Sequence, residues 1–387
     1  MKIEAFPLDQ AHLLGQVPAI RCGSALEAYF RKHGWNDRLD PTPFFLTDWY
    51  AWQNPDWNEA FDCPYQHYLT KGRSQGRDPS PFVDIQRYRE VMPDVPVEVI
   101  YQLILNGHHS PALGVYADYD DLYEAQLRFH ECISAYAHRL NPIANPGQAL
   151  VVLQAGRGAM TDGWANDPAR EWDLMVNYYD AAGFQAGLGD YAVFQKGTKF
   201  SSMWCLWRMC PEILMQYEHV LFLDDDVEVS CSGLNQLFQV CREQDLALAQ
   251  MSLTQASSCN WDELFHVPAG ATVREVSAVE IMMPVFSRNA LANLSSTFED
   301  SISGFGLDLV WGALTRKAGG RVAVVNSVQA THARPVDQSG GAYYKYLRAN
   351  GINAKAELWT LLSVYGVSRD VSSANCASNS DESALAS

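Results

Sequence analysis

Beyond residue 147 the apolar positions fall into short runs separated by helical patterns. The runs at 149–155 (ALVVLQA), 173–179 (DLMVNYY), 191–195 (YAVFQ) and 219–226 (HVLFLDDD) read as strands, with a helix over 202–217 before the last of them. A second helix is predicted from Ser232 as N-cap, because Leu234, Leu237, Phe238 and Cys241 then share one face. LALAQMSL (246–253), VSAVEIMMPVF (276–286) and RVAVVNSV (321–328) supply three further strand candidates. Alternation of strands and helices predicts an α/β domain built on a parallel sheet.

The N-terminal part has another rhythm. Asp40-Pro-Thr-Pro-Phe-Phe and Asp78-Pro-Ser-Pro-Phe-Val stand one period apart, and the same offset relates Gly34 to Gly72, Tyr50 to Tyr88 and Pro55-Asp56 to Pro93-Asp94. Between these anchors LEAYFRKHG (26–34), YQHYLTKG (65–72) and VIYQLILNG (99–107) read as short helices ending on glycine. Two to three helical hairpins are expected, forming a small all-α repeat domain. Trp49, Tyr50, Trp52, Trp57, Tyr65 and Tyr68 read as its core, the other reading being a carbohydrate-binding surface. A helical pattern over 119–140 and the linker Asn141-Pro-Ile-Ala-Asn-Pro-Gly then divide the chain into a repeat module at 1–140 and a second domain at 147–367. Residues 368–387, rich in Ser, Ala, Asn and Asp, read as a disordered tail.

Composition narrows the class. Charged residues make up 19% of the 387 and apolar residues 48%, the balance of a folded protein. A formal charge of -17 speaks against general affinity for nucleic acid or anionic lipid. The nine cysteines show no CxxC pair, so a reducing compartment is expected. With neither a leader-like start nor an apolar stretch of spanning length, the reading is cytoplasmic with no transmembrane segment.

The chemistry concentrates where the strand at 219–226 ends in Asp224-Asp225-Asp226. Ligand sites of open α/β sheets lie at the carboxyl ends of strands. In extended geometry Asp224 and Asp226 project to one side and Asp225 to the other, so the outer pair can share a cation. Adjacent carboxylates repel, and a divalent metal, Mn²⁺ or Mg²⁺, compensates them. Asp-x-Asp after a strand also opens phosphatases of the haloacid dehalogenase type, but those want Thr or Val where Glu228 stands here. Asp308 follows Gly304 and Gly306 at the start of a helical run, where backbone approaches a ligand closely and the helix N-terminus favours anions. It is the candidate general base, and complementing the helix dipole is its other reading. Glu299 and Asp300 are weaker candidates, His332 ends a strand as a candidate third metal ligand, and Arg157 and Lys199 are candidate diphosphate contacts.

Five motifs carry a family resemblance: Lys196-Gly-Thr-Lys-Phe, the Leu-Phe-Leu-Asp-Asp-Asp-Val strand, Val279-Glu-Ile-Met-Met-Pro-Val-Phe-Ser-Arg, Gly304-Phe-Gly-Leu-Asp-Leu-Val-Trp-Gly and Thr331-His. Over about 149–335 the chain resembles the domain-of-unknown-function family 707, itself similar to GT-A glycosyltransferases. The resemblance implies a GT-A-like fold, a Rossmann-like mixed sheet flanked by helices, in which Asp-x-Asp holds the metal against a donor diphosphate. Gly-Phe-Gly-Leu-Asp is similar to the stretch that carries the base of inverting galactosyltransferases, where a later His binds the metal. That likeness makes Asp308 the base and Asp224, Asp226 and His332 the metal ligands, with Asp225, Arg157, Lys199, Gly304 and Gly306 toward the donor. One acid stands here where the comparison motif has two. Residues 25–110 resemble repeats of bacterial glycosyltransferases that build surface polysaccharides. The implied partners are a nucleotide-sugar donor, a glycan or lipid-linked glycan acceptor and a membrane-associated assembly complex. The competing reading is a non-catalytic glycan-binding or scaffold protein with a relic GT-A domain.

Overall fold

The computed structural model describes residues 8–17, 23–96, 99, 102–104, 106–133, 135–259, 261–335 and 341–368. The expected tail thus lies almost wholly outside the described residues, as do several positions of the expected helix at 99–107. The described chain divides into two compact units, one taking residues up to Ala125 with Tyr346–Trp359, the other Gln126–Lys345 with Thr360–Val367. Among the described residues no helix is long and apolar enough to cross a membrane.

In the first unit, segments one period apart adopt the same local geometry. Helices Thr47–Gln53 and Ile85–Val91 each begin on a backbone N–H bonded to an aspartate seven residues earlier: Thr47 N to Asp40 (2.7 Å) and Ile85 N to Asp78 (2.8 Å). Both end with a C-cap N–H on a tyrosine carbonyl, Asn54 to Tyr50 and Met92 to Tyr88. Two π-helical turns, Phe30–Gly34 and Tyr68–Gly72, bear the same relation. The Pro-Asp turn is fixed by Asp56, whose carboxylate accepts two bonds from Arg77 at 2.6 and 2.8 Å. The Arg77 hydrogen bonds hold that carboxyl down at about 2. Trp49, Tyr50, Tyr65 and Tyr68 are core, each at most 1% exposed, whereas Trp52 and Trp57 are half-buried.

The second unit is built on one ten-stranded sheet. Its strands are β1 (Ala135–Arg139), β2 (Ala149–Ala155), β3 (Asp173–Tyr178), β4 (Tyr191–Gln195), β5 (His219–Asp224), β6 (Val227–Glu228), β7 (Leu246–Leu253), β8 (Val273–Glu275), β9 (Val285–Ser287) and β10 (Arg321–His332). The order is β1-β4-β3-β2-β5-β9-β7-β10-β6, with β8 also on β10. The sheet is mixed, not wholly parallel as the alternation predicts. β4, β3, β2 and β5 form one parallel block and β7 and β10 another, and β9 joins the blocks by running antiparallel to β5 and β7. Strands buried on both faces explain the unbroken apolar runs: Leu150, Val151, Leu174, Val176, Val220, Leu221 and Leu223 are all inaccessible.

Four local expectations change. The helix expected to reach residue 140 ends at Cys132, and β1 instead pairs antiparallel with β4, where Arg139 bonds the carbonyls of Leu188 and Asp190. The helix expected over 202–217 runs over Lys199–Met209, because Thr198 and Ser201 form a capping box earlier, and Pro211 opens a separate turn. The N-cap before Cys231 is Ser230, whose hydroxyl accepts from Gly233 N at 3.0 Å, not Ser232. Of the strand expected over 276–286 only its end is regular, since Pro284 has no N–H and the carbonyls of 281 and 282 serve the Lys199 ammonium.

Helix Leu307–Lys317 carries Asp308 and is seated by Trp311, fully buried among Phe286 and Phe298, with its indole N–H on the Thr297 hydroxyl at 2.8 Å. On the same helix Gly312 lies so close to the 277–278 backbone that a Cβ would overlap the Ser277 carbonyl. Gly312→Ala is therefore expected to destabilise the protein by about 1–3 kcal/mol, the usual cost of overpacking, read as a lowered urea midpoint with unchanged slope.

Candidate active site

β2 is flanked by β3, its successor in the chain, on one side and by β5 on the other, so the connections change direction between β2 and β5. Such a switch point opens a crevice at the carboxyl ends of the strands. In the β2–β5 register Gln154 stands opposite Asp224, which sets the turn 156–158 beside the aspartates.

Three segments hold the backbone of the aspartates. Asp224 N donates to Met282 O (3.0 Å), Met160 N to Asp225 O (2.7 Å) and Ala333 N to Asp226 O (2.9 Å). β6 then pairs with the end of β10, His332 opposite Val227, which brings His332 beside Asp226.

Each carboxylate has its own counter-group. Lys199 Nζ, on a buried side chain, bonds Asp224 Oδ1 at 2.9 Å and the carbonyls of Ile281 and Met282 at 2.7 and 2.8 Å, which uses all three donors. Burial pushes Asp224 up to about 6 and draws Lys199 down, their mutual attraction opposing both shifts. Asp225 turns away from the pair. Its Oδ2 accepts from Gly156 N and the Tyr179 hydroxyl, each at 2.8 Å, and its Oδ1 from Arg334 at 3.2 Å. Arg334 also bonds Gly158 O at 2.8 Å, so Asp225, expected toward the donor, here ties the end of β5 to the turn after β2. Asp226 Oδ2 stands 3.5 Å from His332 Nε2. Burial opposes both charges, yet the bond between them brings Asp226 below its ordinary value and lifts His332 to about 9.

Asp308 Oδ1 accepts from Leu309 N at 2.8 Å, and the carboxylate also interacts with its own backbone N–H. Burial, and then the charge of Glu280, push this carboxyl up to about 7. Glu280 also acts electrostatically on His332, Lys199 and Asp226, so it links Asp308 to the aspartate turn. Glu280 had no role assigned from the sequence. Its signal was a lone charge inside the apolar run 276–286, placed here by Gln250, whose Oε1 accepts from Glu280 N at 2.6 Å. Tyr179 and Arg334 were likewise missed, because nothing in their spacing points to Asp225.

The other candidates lie elsewhere. Glu299 accepts from the Trp204 indole at 3.0 Å and Asp300 from the Tyr365 hydroxyl at 2.6 Å, both in structural roles. Arg157 is exposed in the turn after β2. Gly304 (φ +77°) meets the protein itself, since a Cβ there would overlap the Phe200 ring, and Gly306 (φ +90°) is the N-cap of the Asp308 helix.

Among the described residues no three His, Cys, Asp or Glu side chains are arranged to hold a metal ion by themselves. The donor set fits an open pair. His332 Nδ1 faces Ser258 O at 3.0 Å and carries the hydrogen there, which directs Nε2 to Asp226 or to a cation beside it. An ion bound by one or two protein groups leaves its other positions to phosphate oxygens and water, as Mg²⁺ commonly does.

No family model matches the chain, so the resemblance to family 707 rests on its motifs. No curated protein matches it either. Of solved structures, 220 chains match. One is the crystal structure of GalNAc-T7 with UDP, GalNAc and Mn²⁺, at 11% identity and a TM-score of 0.37, covering 53% of this chain and 48% of that one. The chain thus spans about half the length of that protein, and a likeness so slight assigns no residue.

Lys199→Met removes the ammonium bonded to Asp224 and takes the Nζ donor from Ile281 O, while Met282 O keeps Asp224 N. We expect a loss of about 1–3 kcal/mol, the scale for buried groups left unpaired, with a smaller loss for Asp224→Asn, in thermal or urea unfolding. Equal losses would mean that Lys199 acts through Asp224 alone and that its carbonyl contacts add nothing.

Proposed function

We propose that this protein is a metal-dependent glycosyltransferase of the GT-A type, moving a sugar with inversion from a nucleoside-diphosphate donor to a hydroxyl of a growing glycan. The observation that supports this reading is an Asp226–His332 pair at the end of β5, with Glu280 acting electrostatically on that pair and on Asp308, whose carboxyl is pushed up to about 7. Asp226 and His332, with Asp224 behind them, would hold Mn²⁺ or Mg²⁺, whose charge when bound offsets that of the departing diphosphate. The Asp308 carboxylate would accept the proton of the attacking hydroxyl, and burial, with Glu280 second, keeps that carboxyl basic enough to do so. Lys199 acts from behind, fixing Asp224 and the 281–282 backbone. Arg157, exposed after β2, is the proposed diphosphate contact, with Asp225, Gly304 and Gly306 shaping the donor side. The setting we propose is cytoplasmic synthesis of a bacterial surface polysaccharide, with a lipid-linked or free glycan as acceptor. Its support is the likeness of residues 25–110 to repeats of such enzymes.

One observation favours the second reading, a non-catalytic relic: Lys199 already neutralises Asp224 without a metal. Thermal stabilisation by UDP or GDP that requires Mn²⁺, together with donor hydrolysis in a nucleotide-sugar screen, separates the two. A relic shows neither.

Asp226→Ala should abolish transfer and the Mn²⁺-dependent part of nucleotide binding while leaving the fold intact. Full metal dependence in this variant would remove Asp226 from the site. Asp308→Asn should leave donor affinity nearly unchanged and lower the transfer rate by roughly 10² or more, the scale of a general base. Asn caps a helix about as well as Asp, so a helix-start role predicts no such loss. The base works deprotonated, so the wild-type rate should rise with pH through a limb near 7, set by the raised Asp308 carboxyl. A rate flat across that range would move the base elsewhere.

A further inference from the structure

The two matching segments of the first unit differ at one wall. After each π-helical turn the chain closes the same way: Leu39 N bonds Gly34 O and Arg38 N bonds Trp35 O, as Arg77 N bonds Gly72 O and Gly76 N bonds Arg73 O. This closure needs a left-handed residue, for which glycine is favoured. The second copy has Gly76 at φ +72°, and the first has Arg38 at φ +54°. An L-residue there is strained, and strain of this kind gathers at functional positions.

The surroundings differ as well. In the second copy the Arg89 guanidinium lies directly over Gly76. At the matching position of the first copy stands Ala51, and Glu90, bonded to Arg348 at 2.8 Å, is matched by Trp52. The space thus freed is a cavity of about 350 Å³, lined by the indoles of Trp35, Trp52 and Trp359 and by the polar groups of Asn36, Arg38 and Asp48. Trp52 and Trp359 stand 5.6 Å apart at 51°, and Trp35 is held edge-on by Trp57 at 4.5 Å. Arg38 and Asp48, both exposed, pair at 3.4 Å, so the lining combines three tryptophans with a charge-balanced pair.

We propose that this cavity binds a neutral pyranose residue of a glycan. A pyranose has an apolar C–H face that stacks on an electron-rich indole and a rim of hydroxyls that pairs with donors and acceptors together, here Arg38, Asn36 and Asp48. A small cation would meet the Arg38 charge, and an anion the Asp48 charge. The volume lies in the range of small-ligand clefts. The proposal is independent of the reaction assigned to the second unit.

The test is tryptophan fluorescence of the full-length protein titrated with maltohexaose, cellohexaose and chitohexaose. The expected result is a saturable change with at least one of them below about 10 mM, weakened about tenfold or more in Trp52→Ala and in Arg38→Gly. Arg38→Gly is the decisive variant, because it restores the residue that the backbone favours and should unfold no more easily than wild type while binding sugar less well. Loss of binding with unimpaired stability supports a ligand site. No saturable change with any of the three sugars overturns the proposal, as does a response that survives both variants. A response to a polyproline peptide in place of the sugars overturns it in favour of a peptide groove.

Discussion

Three consecutive carboxylates at a strand end repel one another, and the second unit is arranged around that repulsion. Each has a separate answer. Asp224 is met by an ammonium, Asp226 by an imidazole and Asp225 by an arginine with two neutral donors. These groups come from different parts of the chain: the helix after β4, the end of β10 and the turns around β2 and β3. The turn therefore couples the two parallel blocks of the sheet, and β9 between them stays short because its flank, residues 280–284, is spent on holding Lys199 and β5.

Much of this was legible in the sequence where the physics is local. β2, β4 and β7 match their apolar runs residue for residue, because strands buried on both faces admit little else. The Asp-Asp-Asp turn stood out because carboxylates rarely follow such a run without a purpose. The antiparallel insertion of β9 was not legible. Neither were β1, Glu280 and Arg334, whose roles depend on partners far away in sequence: β1 pairs with β4 across 53 to 60 residues, and Arg334 reaches Asp225 across 109. The helix boundaries shifted for a smaller reason. Ser230 and Ser232 both look like caps, and only the geometry of the turn shows which hydroxyl meets the Gly233 N–H.

The first unit shows how a period in sequence becomes a period in structure. Asp40 and Asp78 recur because each satisfies the first N–H of a helix that its own chain direction would leave bare. The matching glycines, Gly34 and Gly72, recur because an aromatic side chain lies where a Cβ would be, the Phe30 ring in one case and the Tyr50 hydroxyl in the other. Where the scaffold repeats so closely, a break in the repeat is informative. Ala51, Trp52 and Arg38 replace Arg89, Glu90 and Gly76 at one wall, and the exchange turns a filled, charged surface into an aromatic cavity.

The two units together also show what a raised carboxyl means. Asp308 lies near 7, but so does Asp78, which burial pushes up to about 7 in the first unit while it holds Ile85 N. Asp40, in the matching role, reaches about 6. Proton affinity near neutrality is thus not in itself a mark of catalysis in this protein, since burial, with a neighbouring carboxylate, produces it in aspartates that hold helix starts. What sets Asp308 apart is its surroundings. Asp78 holds the start of a helix in the first unit, whereas Asp308 is linked electrostatically through Glu280 to the Asp226–His332 pair. A base needs a free lone pair, a suitable proton affinity and a neighbour that holds the electrophile. In the proposed reaction Asp308 is the carboxylate assigned this role, with the proposed metal pair supplying the third.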